Sequence, residues 1–190
     1  SKIIMAIFKN KRYNSLFLDR DGVINYEKLG DYIYTRNEFQ FYPGSLEAFR
    51  IFNALFQHII VVTNQRGIGL GLVKAEAVED IHRYMQEQIE AHGGRIDAIY
   101  YCPDTDSNSP LRKPNTGMGL QALSDFENIH FSNSIMVGNT NSDMMFGRNL
   151  GMQTVFIRST RPDADEDAPT VDAVYDSLLD LALELKPDKF

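Results

Sequence analysis

Five short apolar runs, at residues 14–18, 58–63, 96–101, 133–138 and 153–157, alternate with segments whose apolar residues recur at helical spacing. That alternation constrains the chain more than any other feature, because runs of this length separated by helices fold as βαβ units around a parallel sheet. The segment 74–92 shows the pattern well: Val78, Ile81, Met85 and Ile89 fall on one helical face before Gly93-Gly94 stop it. Further helices are expected at 44–56, 117–126, 142–150 and 175–185. The fold class read from this order is α/β, with helices on both faces of a central parallel sheet.

At 190 residues and 43% hydrophobic, the chain suits one well-filled core, so residues 1–190 are expected to form a single domain, with 1–12 a flexible extension. The apolar run Ile3–Phe8 is too short for a membrane span, and the lone Cys102 cannot pair within the chain; a reducing, cytoplasmic setting is expected. Basic and acidic residues each number 17 over residues 1–161, whereas residues 162–190 carry 9 acids against 2 lysines. A neutral body without a basic run offers no footprint for nucleic acid, and the acidic stretch Asp163–Asp167 reads as a solvated loop before a last helix.

Polar groups cluster where these strands end. Leu16-Phe17-Leu18 runs into Asp19-Arg20-Asp21-Gly22, two carboxylates two residues apart at the carboxyl edge where open α/β sheets bind ligands. Two like charges so close call for a cation or a shared proton, and point to metal-assisted chemistry on an oxyanion. The second strand ends in Thr63-Asn64-Gln65, donors suited to a phosphate. Lys113, before Pro114, offers a compact positive charge. The fourth strand leads into Gly138-Asn139-Thr140-Asn141-Ser142-Asp143, with oxygen donors at 139 and 143. Each piece alone has a plainer reading: a turn with solvated aspartates, a capping Thr or Asn, a solvated Lys, an N-cap with Asp143 on the helix's positive first turn. Gly67, Gly69 and Gly71 lack the spacing and following Lys-Ser/Thr of a nucleotide loop.

Taken in order, strand–DxDGV, strand–TNQ, RKP and strand–GNxxxD resemble the motif series of the haloacid dehalogenase (HAD)-like hydrolases, over about residues 14–160. Within that superfamily DRDGVIN, VVTNQRGI, IYYCPD, RKPNTGM and MVGNTNSDM are similar to the histidinol-phosphate and D,D-heptose 1,7-bisphosphate phosphatase branch. The resemblance implies a Rossmann-like three-layer sandwich and a magnesium-dependent phosphatase acting on a small phosphorylated metabolite, a sugar bisphosphate such as heptose bisphosphate first and histidinol phosphate next. It assigns Asp19 as the nucleophile forming an aspartyl-phosphate, and Asp21 as the acid and then the base, which asks for Asp21 protonated beside an ionised Asp19. Thr63 and the Asn64 amide would hold phosphoryl oxygens, with Lys113 neutralising charge there while anchored by Asp143. Magnesium would rest on Asp19, the Asp21 carbonyl and residue 139, with Asp143 behind them.

Two departures from the family pattern stand out. Residue 139 is Asn where the family has Asp, which removes a formal charge and is expected to weaken metal binding by about 1–3 kcal/mol. It also motivates a rival from another class, a catalytically weakened phosphate-binding or regulatory module. The 103–112 loop has no Cys or His, so the zinc site of many branch members is not expected. No segment is long enough for a large cap domain. Loops 25–43, 65–72 and 103–112 are expected to ring the site instead, with Gln65, Arg66 and Arg112 as substrate-binding candidates. The expected assembly is a monomer or weak dimer.

Overall fold

The computed structural model describes residues 4–158 and 161–188. Its centre is a six-stranded parallel sheet of β3 (Ser15–Leu18), β4 (His58–Asn64), β5 (Ala98–Cys102), β6 (Ser134–Gly138), β7 (Gln153–Ile157) and β8 (Ala173–Tyr175), in the order β5-β4-β3-β6-β7-β8. The chain builds outward from β3 to β4 and β5, then returns to lay β6 on the other side of β3. β3 is therefore the strand at which the winding reverses, and the crevice beyond its carboxyl end is where such sheets bind ligands.

Side-chain alternation explains why both faces are covered. Leu16, Leu18, Ile59, Val61, Ile135 and Val137 pack on one face with helices α1 (Ser45–Leu55), α2 (Ala75–Ala91) and α5 (Leu178–Glu184). Phe17, Ile60, Val62 and Met136 point the other way, against Met118 and Ala122 of α3 (Gly117–Asp125) and Phe146 of α4 (Asn141–Leu150). All four residues of β3 are buried, as a central parallel strand requires.

The expected strands and helices are present to within about two residues, save at the ends of the chain. The helix expected at 175–185 begins at Leu178 behind the N-cap Ser177, whose hydroxyl accepts from the Asp180 amide; the residues before it form β8, the unexpected sixth strand. The stretch 1–12 is not a flexible extension in its described part. β1 (Ala6–Phe8) and β2 (Lys11–Tyr13) form a hairpin, and β9 (Lys186–Pro187) pairs with β1 to make a second, antiparallel sheet. Ala6, Phe8 and Tyr13 are buried there in the main core, while residues 1–3 lie outside the described residues. Among the described residues no helix is long and apolar enough to cross a membrane.

Candidate active site

Beyond the carboxyl ends of β3, β4 and β6 lies a cavity of about 600 Å³. Its lining includes Asp19, Asp21, Asn64, Gln65, Arg66, Arg112, Lys113 and Asp143, so groups scattered over 125 positions of sequence meet in one place. Thr63 and Asn139 stand just behind that lining, 1% and 0% exposed.

Lys113 is the hub. Its Nζ donates to Asp19 Oδ1 (2.9 Å), Asp143 Oδ1 (2.7 Å) and the Val62 carbonyl (2.8 Å), which uses all three of its protons. Burial works against the ammonium, but Asp143 and Asp19 more than offset it and raise its pKa. The charge is delivered by a clasp: the Asn64 side chain accepts from the Lys113 amide (3.0 Å) and donates to the Lys113 carbonyl (3.2 Å), tying this loop to the end of β4. Asn64 thus spends its carboxamide on positioning, and only its backbone remains for a phosphate.

Asp143 is the third residue of α4, and its Oδ2 accepts from the amides of Asn139 (3.1 Å) and Thr140 (3.2 Å). Thr140 Oγ1 accepts from the Asp143 amide in return, a capping box. Gly138 is required here, because a Cβ on it would stand 2.2 Å from that of Asp143. Both Asp143 oxygens are thus engaged, Oδ1 by Lys113 and Oδ2 by the 139–140 turn.

Asp21 sits among donors. Its Oδ1 accepts from Arg20 Nη2 (2.7 Å), Arg20 Nε (3.0 Å) and Asn25 Nδ2 (2.9 Å), and its Oδ2 from Gln65 Nε2 (3.0 Å). Burial alone would raise its pKa, yet the charge of Arg20 and the hydrogen bonds of Asn25, Arg20 and Gln65 hold it below the usual carboxylate range. For Asp19 the balance runs the other way: burial first, then the charge of Asp143, push it up to about 7 against the pull of Lys113. The unliganded site thus has the opposite proton affinities from those expected of an acid at 21 and an anion at 19. Asp143 also weighs more on Asp19 than Asp21 does, so the tight acidic pair is 19 and 143, bridged by Lys113.

Gln65 also donates to Thr63 Oγ1 (3.0 Å), linking that hydroxyl to Asp21, and it is 7% exposed. In this geometry its Nε2 bridges Asp21 and Thr63 while the residue still lines the cavity. Arg66 and Arg112 remain at the rim, with Arg66 Nε on Tyr32 Oη (3.2 Å) and Arg112 Nη1 on the Asp104 carbonyl (3.3 Å).

Several contributors carry no local sequence signal. Arg20 is 0% exposed and donates from Nη1 to His82 Nε2 at 3.1 Å, which places the histidine proton on Nδ1. Asp163, in the stretch Asp163–Asp167 expected as a solvated loop, forms part of the cavity wall with Ala164 and the preceding Arg161: Arg161 pairs with Glu27, and the Asn141 side chain clasps the Asp165 backbone by two 2.9 Å bonds. Of the loops expected to ring the site, residues 27, 28 and 30–33 of the first, 65 and 66 of the second and 112 of the third line it; 67–72 and 103–111 do not.

Among the described residues no three His, Cys, Asp or Glu side chains gather into a metal cluster. A cation would have to use mixed oxygens, and the site provides them. Gly22 adopts φ +86°, and a Cβ there would meet Asn139 Nδ2 at 1.9 Å but Oδ1 only at 3.2 Å, so the NH2 end of the carboxamide lies against Gly22 and the oxygen is the farther end. The Asp19 carboxylate, the Asp21 carbonyl and the Asn139 amide oxygen are all hard donors of the kind magnesium takes. With all three carboxylates ionised, Asp19, Asp21 and Asp143 against Lys113 and Arg20 leave the floor one charge negative. These residues fit a divalent cation.

A family model described as HAD-hydrolase-like matches residues 110–181. The chain is 36% identical over 169 residues to the D-glycero-alpha-D-manno-heptose-1,7-bisphosphate 7-phosphatase of Mycobacterium tuberculosis, covering 88% of this chain and 89% of that one. It is 34% identical over 176 residues to the corresponding beta-heptose enzyme of Vibrio cholerae, covering 88% and 93%. In structure it matches a D,D-heptose 1,7-bisphosphate phosphatase from B. bronchiseptica, complexed with magnesium and phosphate, with a TM-score of 0.78 at 24% identity over 90% and 97% of the two chains.

Proposed function

The chain belongs to the HAD-like hydrolases, in the family of the heptose-1,7-bisphosphate 7-phosphatases, and from that premise we propose that it is a magnesium-dependent phosphatase that hydrolyses a sugar bisphosphate of the heptose type. The observation that carries this reading is the buried Asp19–Lys113–Asp143 knot at the floor of a cavity that Asp21 shares.

In this reading Asp19 attacks phosphorus through Oδ2, since Lys113 engages Oδ1. The P–O bond to the sugar breaks, the leaving alkoxide takes a proton from Asp21, and an aspartyl-phosphate remains. Asp21 then removes a proton from water, which attacks phosphorus and frees phosphate and Asp19. The low proton affinity of Asp21 belongs to the unliganded site; a phosphate dianion beside it raises that affinity, so substrate binding loads the acid. Thr63, the Asn64 backbone amide and Lys113 stabilise the phosphoryl oxygens, Lys113 by charge because its protons are already shared. Asp19, the Asp21 carbonyl and Asn139 would hold magnesium, which would supply charge neutralisation and alignment of the phosphoryl group. Arg66 and Arg112 are placed to take the second phosphate or sugar hydroxyls.

The test is phosphate release from heptose 1,7-bisphosphates and from histidinol phosphate across a magnesium titration. Turnover of the bisphosphate that vanishes in Asp19→Asn supports the reading; no turnover of any phosphomonoester at saturating magnesium overturns it. The amide at 139 favours a second reading, a weakened phosphate-binding module. A large gain in rate in Asn139→Asp would select that reading, and little change would reject it.

A further inference from the structure

Glu27 and Arg161, 134 positions apart, form an ion pair in the cavity wall that none of the catalytic roles above uses. Arg161 Nε lies 3.1 and 3.2 Å from the two Glu27 oxygens, and Nη2 lies 3.1 Å from Oε2. Glu27 Oε1 also accepts from Asn139 Nδ2 at 3.2 Å, and the Glu27 side chain is only 6% exposed. We propose that Glu27 is a positioning residue that sets which end of the Asn139 carboxamide faces the cation, and that Arg161 holds Glu27 in place for that task.

This role rests on Asn139 being a metal-holding residue, as proposed above, and on the chemistry of an amide. The two ends of a carboxamide are nearly the same shape, and only their partners decide which end points where. For a carboxylate ligand the question does not arise, because both ends are oxygen. For an amide it is decisive: the oxygen can bind magnesium, whereas the NH2 end turns protons toward it. Arg161 can only donate, so the Glu27 oxygens it occupies act as acceptors, and the end of Asn139 that meets them must be NH2. The carbonyl oxygen is thereby turned to the opposite end. Packing against Gly22 keeps the group where it is without choosing its sense, since the two orientations fill almost the same space. A carboxylate at 139 would instead stand near 3.2 Å from Glu27 as a like charge, so the glutamate and the amide suit each other.

Magnesium binding to the whole chain, measured by isothermal calorimetry in the wild type, Glu27→Gln, Asn139→Asp and the double variant, tests this independently of turnover. Glutamine can present either NH2 or oxygen, so Glu27→Gln is expected to weaken magnesium about tenfold, the lower end of what such supporting partners cost. In the Asn139→Asp background the same change should leave affinity unchanged or improve it. Equal weakening in both backgrounds would mean that Glu27 acts only through its charge, and no weakening in either would mean that it does not act on the cation; each overturns the proposal. Asn139→Ala separates this failure from that of the metal site itself. If magnesium still binds Asn139→Ala as it binds the wild type, the site reading falls and the positioning role falls with it; if Asn139→Ala weakens magnesium while Glu27→Gln does not, only the positioning role is lost. Melting curves of all variants without metal check that the fold is retained.

Discussion

The floor of the cleft and its rim are built on opposite terms. On the floor Lys113 spends three protons on protein acceptors, Asp21 receives four hydrogen bonds and Asp143 three, and all three are clamped by neighbours at strand ends or a helix N-terminus. At the rim the Arg66 and Arg112 side chains each make, among the described residues, one long contact to loop atoms, which leaves further N–H groups for a ligand. The difference teaches where chemistry and selectivity reside: charges that must meet a transition state are oriented in advance, so they cost no rearrangement during reaction. Groups that only recognise the remainder of the substrate are left room to adapt.

That contrast can be broken at its strongest point first. Asp19→Asn removes the nucleophile and should lower phosphate release by at least about 10³-fold, with the fold preserved; retention of substantial activity would show that the floor is not the reacting centre. Lys113→Met leaves Asp19 and Asp143 buried without their cation, and should destabilise the protein by about 3–5 kcal/mol in urea unfolding as well as abolish activity. A mild effect on stability would mean the floor is far less rigidly committed than its bonds suggest. Arg66→Ala should raise KM for a bisphosphate about tenfold, the worth of one charge-assisted contact, while leaving kcat and the melting temperature nearly unchanged. An equal loss on a monophosphate would assign Arg66 to something other than the distal group.

The smallest expected effect reaches beneath the floor. His82 is buried beside Arg20, and its pKa is lowered to about 3, by burial first and then by the guanidinium charge. The unfolded chain takes up this proton near pH 6.5 and the folded protein does not, so the stability His82 contributes is complete above pH 6.5 and lost as pH falls toward 3. Between pH 6.5 and 5.5 the loss should be about 1 kcal/mol, and His82→Gln should flatten that part of the stability profile. An unchanged slope would show that the layer under Asp21 does not feel the proton.

Much of this protein was legible in one dimension. The apolar runs and helical spacings mark β3 to β7 and α1 to α4 nearly to the residue, because each is a periodic pattern that local physics enforces. The residues that meet on the floor follow directly, since they stand at strand ends that a parallel sheet must gather on one edge. β8 escaped because a three-residue edge strand carries too few positions to show a period, and β9 because its partner β1 lies at the other end of the chain. Glu27 with Arg161, and Arg20 with His82, escaped for a related reason: an ion pair or hydrogen bond across 134 or 62 positions leaves no repeat to read.

The sense of the proton affinities at Asp19 and Asp21 was decided only in three dimensions. Their spacing in sequence implies two competing carboxylates and nothing about which holds the proton. Folding surrounds Asp21 with Arg20, Asn25 and Gln65 and places Asp143 against Asp19. Sequence order alone thus determined which groups arrive at the carboxyl edge, through the period of the strands. Their charge states depend on burial and on the number of donors each receives, and those are properties of the packed structure.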